Sequence, residues 1–426
     1  MKNSSEAGMK TTPAFLDRRA FLQFLGSCGA VSAVGGGWAA AAGTVGEERF
    51  KDLAGFVATQ VQGGEVPGAG VIVARKERTL YEQFRGTYCS HERPDEPFDG
   101  SVVNICYSFS KLISATVIVM LQQDGLLEYD APISKYVPQF TGGGKEKITL
   151  RHLLTHSAGI PGVPLKAVGN DQEWEAAVRA VCDAKVEWEP GSRCVYHGLT
   201  GLLVAAEAAR RVTGKGWAAL CKERLFDPLG ASSMSFELPP RGTKLSLVPQ
   251  PKPEVLKQLS YGQYYAISFL GHPAGACFGT AGDMLKVLQL HLNKGVWRGK
   301  ALIRPLAFAE MHTVQYEKEI ARAVKEGKAP AHQSWGLGPL LRGTGPADQG
   351  HAWFGFGDRP SPGIFGHAGI STIIGVGDPS LDLAIIFLTT DPPKPESKAT
   401  AIRNGITNRV FQALGGIKTS KERAKL

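Results

Sequence analysis

Ser108 and Lys111 are a hydroxyl and an amine three residues apart, in the tetrapeptide Ser108-Phe109-Ser110-Lys111. On a helix, positions i and i+3 share a face, so this amine can reach this hydroxyl oxygen. A serine is a poor nucleophile at neutral pH until a neighbouring base takes its proton. The pair therefore points to nucleophilic catalysis through a covalent serine intermediate. The competing explanation is a solvated helix start, with Ser108 as N-cap and Lys111 in water. The residues that follow, Leu112 to Leu121, are apolar on nearly every face and predict a buried helix. A lysine in the first turn of such a helix sits at the positive end of the dipole, where cations are disfavoured. A role that needs the amine neutral would account for it.

Two further segments carry groups of the right chemistry. In Glu189-Pro190-Gly191-Ser192-Arg193-Cys194-Val195-Tyr196-His197-Gly198, a Pro-Gly turn leads to Tyr196 shortly before a helix. Catalytic groups often sit at such junctions. A phenol, with an ordinary pKa of ~10, can move protons if nearby cations lower that value. The alternative is a tyrosine that only packs. In Gly366-His367-Ala368-Gly369-Ile370, opening a C-terminal hairpin, the small residues let a ligand or another backbone approach the strand closely. The Ile370 N–H could then face an oxyanion, and His367 could contact a substrate carboxylate or shape the pocket. The same glycines could instead serve packing of the Ser108 helix on a sheet.

The elements that must position these groups are legible in outline. Residues 67–74 and 79–84 read as paired strands, the second alternating. The Ser108 helix is expected to stop near Asp124-Gly125. Thr149 begins a short capped helix, residues 201–212 form an amphipathic helix closed by Thr213-Gly214, and Thr280-Ala281-Gly282-Asp283 opens a helix running to about Asn293. A proline-rich connection falls at 249–253. Residues 370–376 and 381–389 form a second hairpin. Strands at both ends with helices between predict one antiparallel sheet with an inserted helical region.

These three elements, in this order, resemble the serine β-lactamase and penicillin-binding protein superfamily, in particular the class C β-lactamase-like branch with its esterase relatives of carboxylesterase family VIII. The segments 148–160, 126–133 and Trp335-Gly336-Leu337-Gly338 add to the resemblance, which spans nearly all of the chain after the N-terminal segment. The resemblance implies an α/β (α+β) fold of the β-lactamase type, with a central antiparallel sheet flanked by helices and an inserted helical region. It implies that Ser108 is the acylated nucleophile, with Lys111 and Tyr196 as its proton partners. His367, Gly369 and Ile370 would line the substrate, the Ser108 and Ile370 N–H groups forming an oxyanion hole. No cofactor is implied.

Three positions depart from the family pattern. Gly198 stands where the Tyr-x-Asn motif has its asparagine, His367 where the Lys-Thr-Gly motif has its lysine, and Tyr107 precedes the nucleophile where a small residue is usual. A histidine is largely neutral near pH 7, so the second cation is not permanent. The expected activity is hydrolysis of an ester or amide through an acyl-enzyme. The alternatives are a true β-lactamase, a D-Ala-D-Ala carboxypeptidase or D-aminopeptidase, and a cell-wall ligand-binding protein without turnover.

Composition limits the remaining classes. A chain of 426 residues, 43% hydrophobic, can bury a large core, and its +9 formal charge is spread thinly. No arginine-rich run with interleaved aromatics is present, so nucleic acid is not an expected partner. Small-molecule ester, amide or peptide substrates are, with cell-wall association open. Asp17-Arg18-Arg19-Ala20-Phe21-Leu22 and the small residues to Ala42 read as a twin-arginine export signal over 1–42, implying a periplasmic or other extracytoplasmic location. A rival reading acylates Cys28 as a lipoprotein. No other segment reaches the ~18 apolar residues of a membrane helix. The expected organisation is then a hydrolase domain over 47–415, with sheet region about 47–110 and 275–415 and helical region about 111–274, and a basic tail over 416–426.

Seven cysteines include no Cys-x-x-Cys pair, so neither a zinc site nor any disulfide pairing can be assigned. His152 and His156 have i, i+4 spacing but lack an intervening metalloprotease glutamate; no metal is expected. No serine has glycine both two before and two after it, which removes the α/β-hydrolase elbow.

Overall fold

Val71 and Val73 on one side of a strand, and Ile72 and Ala74 on the other, are all buried, so the strand that carries them must be covered on both faces. In the computed structural model, which describes residues 47–88, 95–163, 168–246, 270–328, 334–342, 355–370, 372–393 and 395–415, this strand is β1 (Gly68–Arg75). It belongs to a six-stranded sheet of order β2-β1-β10-β9-β8-β7, with β2 (Arg78–Gly86), β7 (Leu340–Leu341), β8 (Phe365–Gly369), β9 (Ile373–Asp378) and β10 (Leu383–Thr389). Every neighbouring pair is antiparallel, and β1 pairs with the whole of β10, from Ala69 opposite Thr389 to Arg75 opposite Leu383. Strands from the two ends of the chain thus meet in the middle of the sheet. The short pairs β3 (Asn104–Ile105) with β4 (Phe278–Gly279), and β5 (Val296–Trp297) with β6 (Lys300–Ala301), lie outside it.

Two apolar cores divide along the strand alternation. Val71, Val73, Ile385 and Phe387 pack with Leu53 and Val57 of α1 (Lys51–Gln62) and with Ile402, Ile406 and Val410 of a C-terminal helix, Glu396–Ala413. Ile72, Ala74, Ile386 and Leu388 join the larger core of the helices between. Its axis is α2 (Ser110–Gln123), where every residue from Ser110 to Leu121 is buried. This helix packs on α5 (Thr200–Thr213) and on β8, which places its first turn at the seam between sheet and helices.

The expected punctuation is in place. Gly125 turns the chain out of α2 with φ +77°. Thr149 and His152 form a reciprocal cap on α3 (Leu150–Leu154). Thr280 accepts the Asp283 N–H at the start of α7 (Ala281–Leu292). Between α3 and α7 lie α4 (Asp171–Asp183), α5 and α6 (Trp217–Cys221); α8 (Pro305–Met311), α9 (Glu317–Lys325) and the C-terminal helix α10 follow.

One boundary differs. Residues 370–376 do not form a single strand: the chain reverses after Gly369, so Phe365–Gly369 is its own strand, paired to β9 with His367 opposite Gly375. β7 pairs with it only at Phe365 and Gly366, which leaves the His367–Gly369 half on an open edge. The proline-rich stretch 249–253, the N-terminal segment 1–42 and the tail 416–426 lie outside the described residues. Among the described residues no helix is long and apolar enough to cross a membrane. Cys106, Cys182, Cys194, Cys221 and Cys277 are buried free thiols; Cys28 and Cys89 fall outside the described residues.

Candidate active site

The turn that carries Ser108 is set by backbone strain one residue upstream. Tyr107 holds φ +43°, a left-handed conformation that bulky residues avoid, at a cost on the order of 1–3 kcal/mol. A 3-10 turn over Tyr107–Phe109 follows and leads into α2 at Ser110. Ser108 therefore lies just outside the regular helix, and Lys111 is in its first turn. Phe109 anchors this turn from below, its ring filling the space that a side chain at Gly375 of β9 would need.

Lys111 and Tyr196 both reach Ser108. The Lys111 Nζ lies 3.0 Å from Ser108 Oγ, and the Tyr196 hydroxyl lies 2.7 Å from the same atom. Lys111 also donates to the Ala274 carbonyl at 2.9 Å and sits 5.0 Å from the centre of the Tyr196 ring. It is only 1% exposed, and this burial lowers its pKa to about 7. A near-neutral amine is compatible with its place in the first turn of a buried helix. Burial raises the Tyr196 pKa, its bond to Ser108 only partly opposing the shift, so the condition of a phenol made more acidic by cations is not met. Lys111, near neutrality, lies over the Tyr196 ring, an arrangement in which the amine could accept a proton and the phenol could donate one.

His367 occupies the strand position opposite. It is fully buried, and its Nδ1–H donates to the Ala368 carbonyl at 2.6 Å. Burial and the nearby Lys111 depress its pKa to about 3. It is a neutral wall of the site rather than a second cation. Tyr196, Trp335, His156 and His367 form one aromatic cluster, with Tyr196 stacked on Trp335 at 5.9 Å and His156 4.9 Å from the Tyr196 ring. His156 does not share a helix face with His152, because α3 ends at Leu154; its Nδ1 accepts the His197 N–H, whereas His152 serves the cap on α3. The i, i+4 spacing of the two histidines carries no joint site.

The end of β8 closes on the turn that carries Ser108. A Cβ at Gly369 would lie 2.7 Å from the Cys106 carbonyl oxygen and 2.8 Å from the Tyr107 Cβ. Ile370, next along, leaves its side chain half-exposed. Contact this close requires glycine. Gly369→Ala is expected to push β8 off the turn and lower kcat/KM for an activated ester by about 10²-fold, the scale of one lost oxyanion donor. Steady-state kinetics beside a thermal melt would check this, and unchanged kcat/KM would refute it.

The site includes groups that the sequence did not disclose. The Ala274 carbonyl, Trp335 and His156 come from segments far from the Ser-x-x-Lys in sequence. Trp335 stands in a stretch recognised only by resemblance, and a backbone carbonyl leaves no mark in a residue pattern at all. No group of three or more metal-ligating side chains occurs among the described residues.

Comparison with known proteins gives a consistent set of likenesses. Residues 53–406 match the Beta-lactamase family model. The chain is 25% identical over 366 residues to esterase EstB of Burkholderia gladioli, covering 76% of this chain and 85% of that one. It is 26% identical over 252 residues to the D-alanyl-D-alanine-carboxypeptidase/endopeptidase AmpH of Escherichia coli K12, covering 54% and 59%. Among solved structures, a family VIII carboxylesterase superposes with a TM-score of 0.65 at 20% identity, over 87% of this chain and 99% of the other.

Proposed function

Because the chain belongs to the β-lactamase family and is a serine hydrolase, we propose that Ser108 is its nucleophile and that it hydrolyses small esters through an acyl-enzyme. The observation that carries this reading is the convergence of the Lys111 amine and the Tyr196 phenol on one serine oxygen, with the amine buried near neutrality.

With Lys111 neutral, its lone pair can take the Ser108 proton while one N–H stays on the Ala274 carbonyl. Ser108 Oγ then attacks the ester carbonyl. The tetrahedral oxyanion is held by the Ser108 and Ile370 N–H groups. As the C–O bond breaks, the leaving alcohol takes a proton from the Tyr196 hydroxyl, which is refilled from the Lys111 ammonium. Water attacks the acyl-enzyme by the same path in reverse, the proton returning to Ser108 as the carboxylic acid leaves.

Gly198 and His367 favour esters over β-lactams. A β-lactam or peptide presents a carboxylate beside the scissile bond, and the wall it would meet is a buried neutral imidazole. The relatives' named activities, an esterase and a carboxypeptidase/endopeptidase, bracket the choice. A panel of short p-nitrophenyl esters, a chromogenic cephalosporin and a D-Ala-D-Ala peptide tests it. The expected result is a kcat/KM for the ester at least about 10²-fold above the other two, the range of selectivity lost when a buried charge partner is missing. Preference for the cephalosporin or the dipeptide would make the enzyme a β-lactamase or carboxypeptidase; slow labelling by penicillin without turnover would make it a cell-wall ligand-binding protein.

We assign residues 1–42 to twin-arginine export, 47–415 to the catalytic domain and 416–426 to a basic tail. On that assignment the mature enzyme works outside the cytoplasm, where ester and cell-wall substrates are both within reach.

A further inference from the structure

Lys111 depends on a carbonyl that no regular element holds. Ala274 lies in the irregular segment 272–277 that precedes β4 and runs along the first turns of α2. The contacts are successive: Ser114 Oγ donates to the Pro273 carbonyl, Lys111 Nζ to the Ala274 carbonyl, and the Cys277 N–H to Ser110 Oγ at 3.1 Å. The Cys106 N–H, two residues before the nucleophile, donates to the Cys277 carbonyl at 2.7 Å. One stretch of backbone therefore fixes the helix, the amine and the nucleophile turn together.

His272 locks the start of that stretch. Its carbonyl accepts the Gly275 and Ala276 N–H groups, and its ring Nδ1 accepts the Ala274 N–H at 3.0 Å. The last bond settles the tautomer. Nδ1 offers a lone pair, so the ring proton is on Nε2. Ala274 is thus gripped at both ends of its backbone, its N–H by the imidazole and its C=O by the amine. The ring is fully buried, and Nε2 has no hydrogen-bond partner among the described residues. A leucine or phenylalanine could fill the space if packing were the ring's only task. The Nδ1 acceptor is what those residues lack. The groups around Lys111 on its other sides, Tyr196, His156 and His367, are all held neutral by burial. Among the described residues, the hold on the amine is one of geometry, through the Ala274 carbonyl, and burial is what shifts its pKa.

We propose that His272 is a positioning residue for the acylation step, its bond to the Ala274 N–H fixing the carbonyl that holds the Lys111 amine against Ser108. This rests on Lys111 being the base in the reading above.

The test compares His272→Leu, which removes the acceptor at similar bulk, with His272→Asn, whose side-chain oxygen can accept the same N–H two residues on, as in an Asx turn. On p-nitrophenyl acetate, His272→Leu is expected to lose about 10²-fold in kcat with KM nearly unchanged, the scale of a small misplacement of a catalytic group. The acid limb of its pH profile should shift from the wild-type position. His272→Asn should recover most of kcat and the wild-type limb. A purely structural role would lower the melting temperature of His272→Leu and leave kcat and the pH limb of the folded protein alone, and that result would overturn the proposal. So would an asparagine variant no better than leucine. If His272→Leu does not fold, Ser114→Ala, which frees the adjacent Pro273 carbonyl, should shift the acid limb in the same sense, and a wild-type profile there would also overturn it. Ser108→Ala separates the two readings. If it keeps covalent labelling, the nucleophile assignment fails; if it is inert while His272→Leu keeps wild-type kcat, only the role of His272 fails.

Discussion

Ser108→Ala should abolish both turnover and covalent capture. The expected loss in kcat on a p-nitrophenyl ester is at least about 10⁴-fold, since removing a serine nucleophile leaves only binding and oxyanion stabilisation. Mass spectrometry of the wild-type protein after a fluorophosphonate should find one adduct, on the peptide containing Ser108, and none in the variant. No neighbouring serine can stand in. Ser110 is buried with its Oγ accepting the Cys277 N–H, and Ser114 is buried with its hydroxyl on the Pro273 carbonyl. The variant should also fold normally, because among the described residues the hydroxyl it removes bonds only Lys111 and Tyr196. An adduct that persists in Ser108→Ala would sink the nucleophile assignment, and with it the account of Lys111.

Lys111→Met should separate activity from stability. The methionine matches the buried stem and removes the amine, so proton transfer from Ser108 loses its acceptor; kcat should fall by about 10³-fold, within the range of general-base losses. Stability should move the other way. The folded-state pKa of Lys111 is about 7, below the 10.5 of an unperturbed lysine. Between those values the unfolded chain binds a proton that the folded chain does not, so wild-type stability rises with pH across that window. Below pH 7 both states are protonated and the folded protein carries the full penalty of a buried ammonium. Lys111→Met escapes it. Its melting temperature should exceed wild type most clearly below pH 7 and converge with it above about 10.5. The same titration predicts the acid limb of wild-type kcat/KM, with activity falling as pH drops through about 7. A variant with wild-type kcat, or a melting temperature lower than wild type at pH 6, would contradict the picture of a neutral buried base.

Much of the site was legible before any coordinates. The i, i+3 spacing brought Ser108 and Lys111 together because helix geometry is local. Thr149 and Thr280 announced their helices because a cap is a contact over three residues. The alternating strands at each end of the chain implied a sheet joining them. What was missed has physical reasons too. Residues 370–376 are apolar and β-rich, so composition gave no sign of the reversal after Gly369 that makes β8 a strand of its own. Residue type leaves open whether cations tune the Tyr196 phenol; its acidity depends on how much water the fold removes, and that desolvation dominates.

Residue types and spacing alone name the groups that could react and their order: Ser108 and Lys111 by helical spacing, Tyr196 at a loop–helix junction, and a glycine-lined segment at His367–Ile370. The tertiary structure alone decided their protonation and their supports. Lys111 is near neutral because the surrounding fold excludes water from it, not because of any residue beside it in the chain. His272 and Ala274 hold it from more than 150 positions away. Desolvation and long-range backbone contacts are properties of the packed whole, and no local pattern of residue types records them.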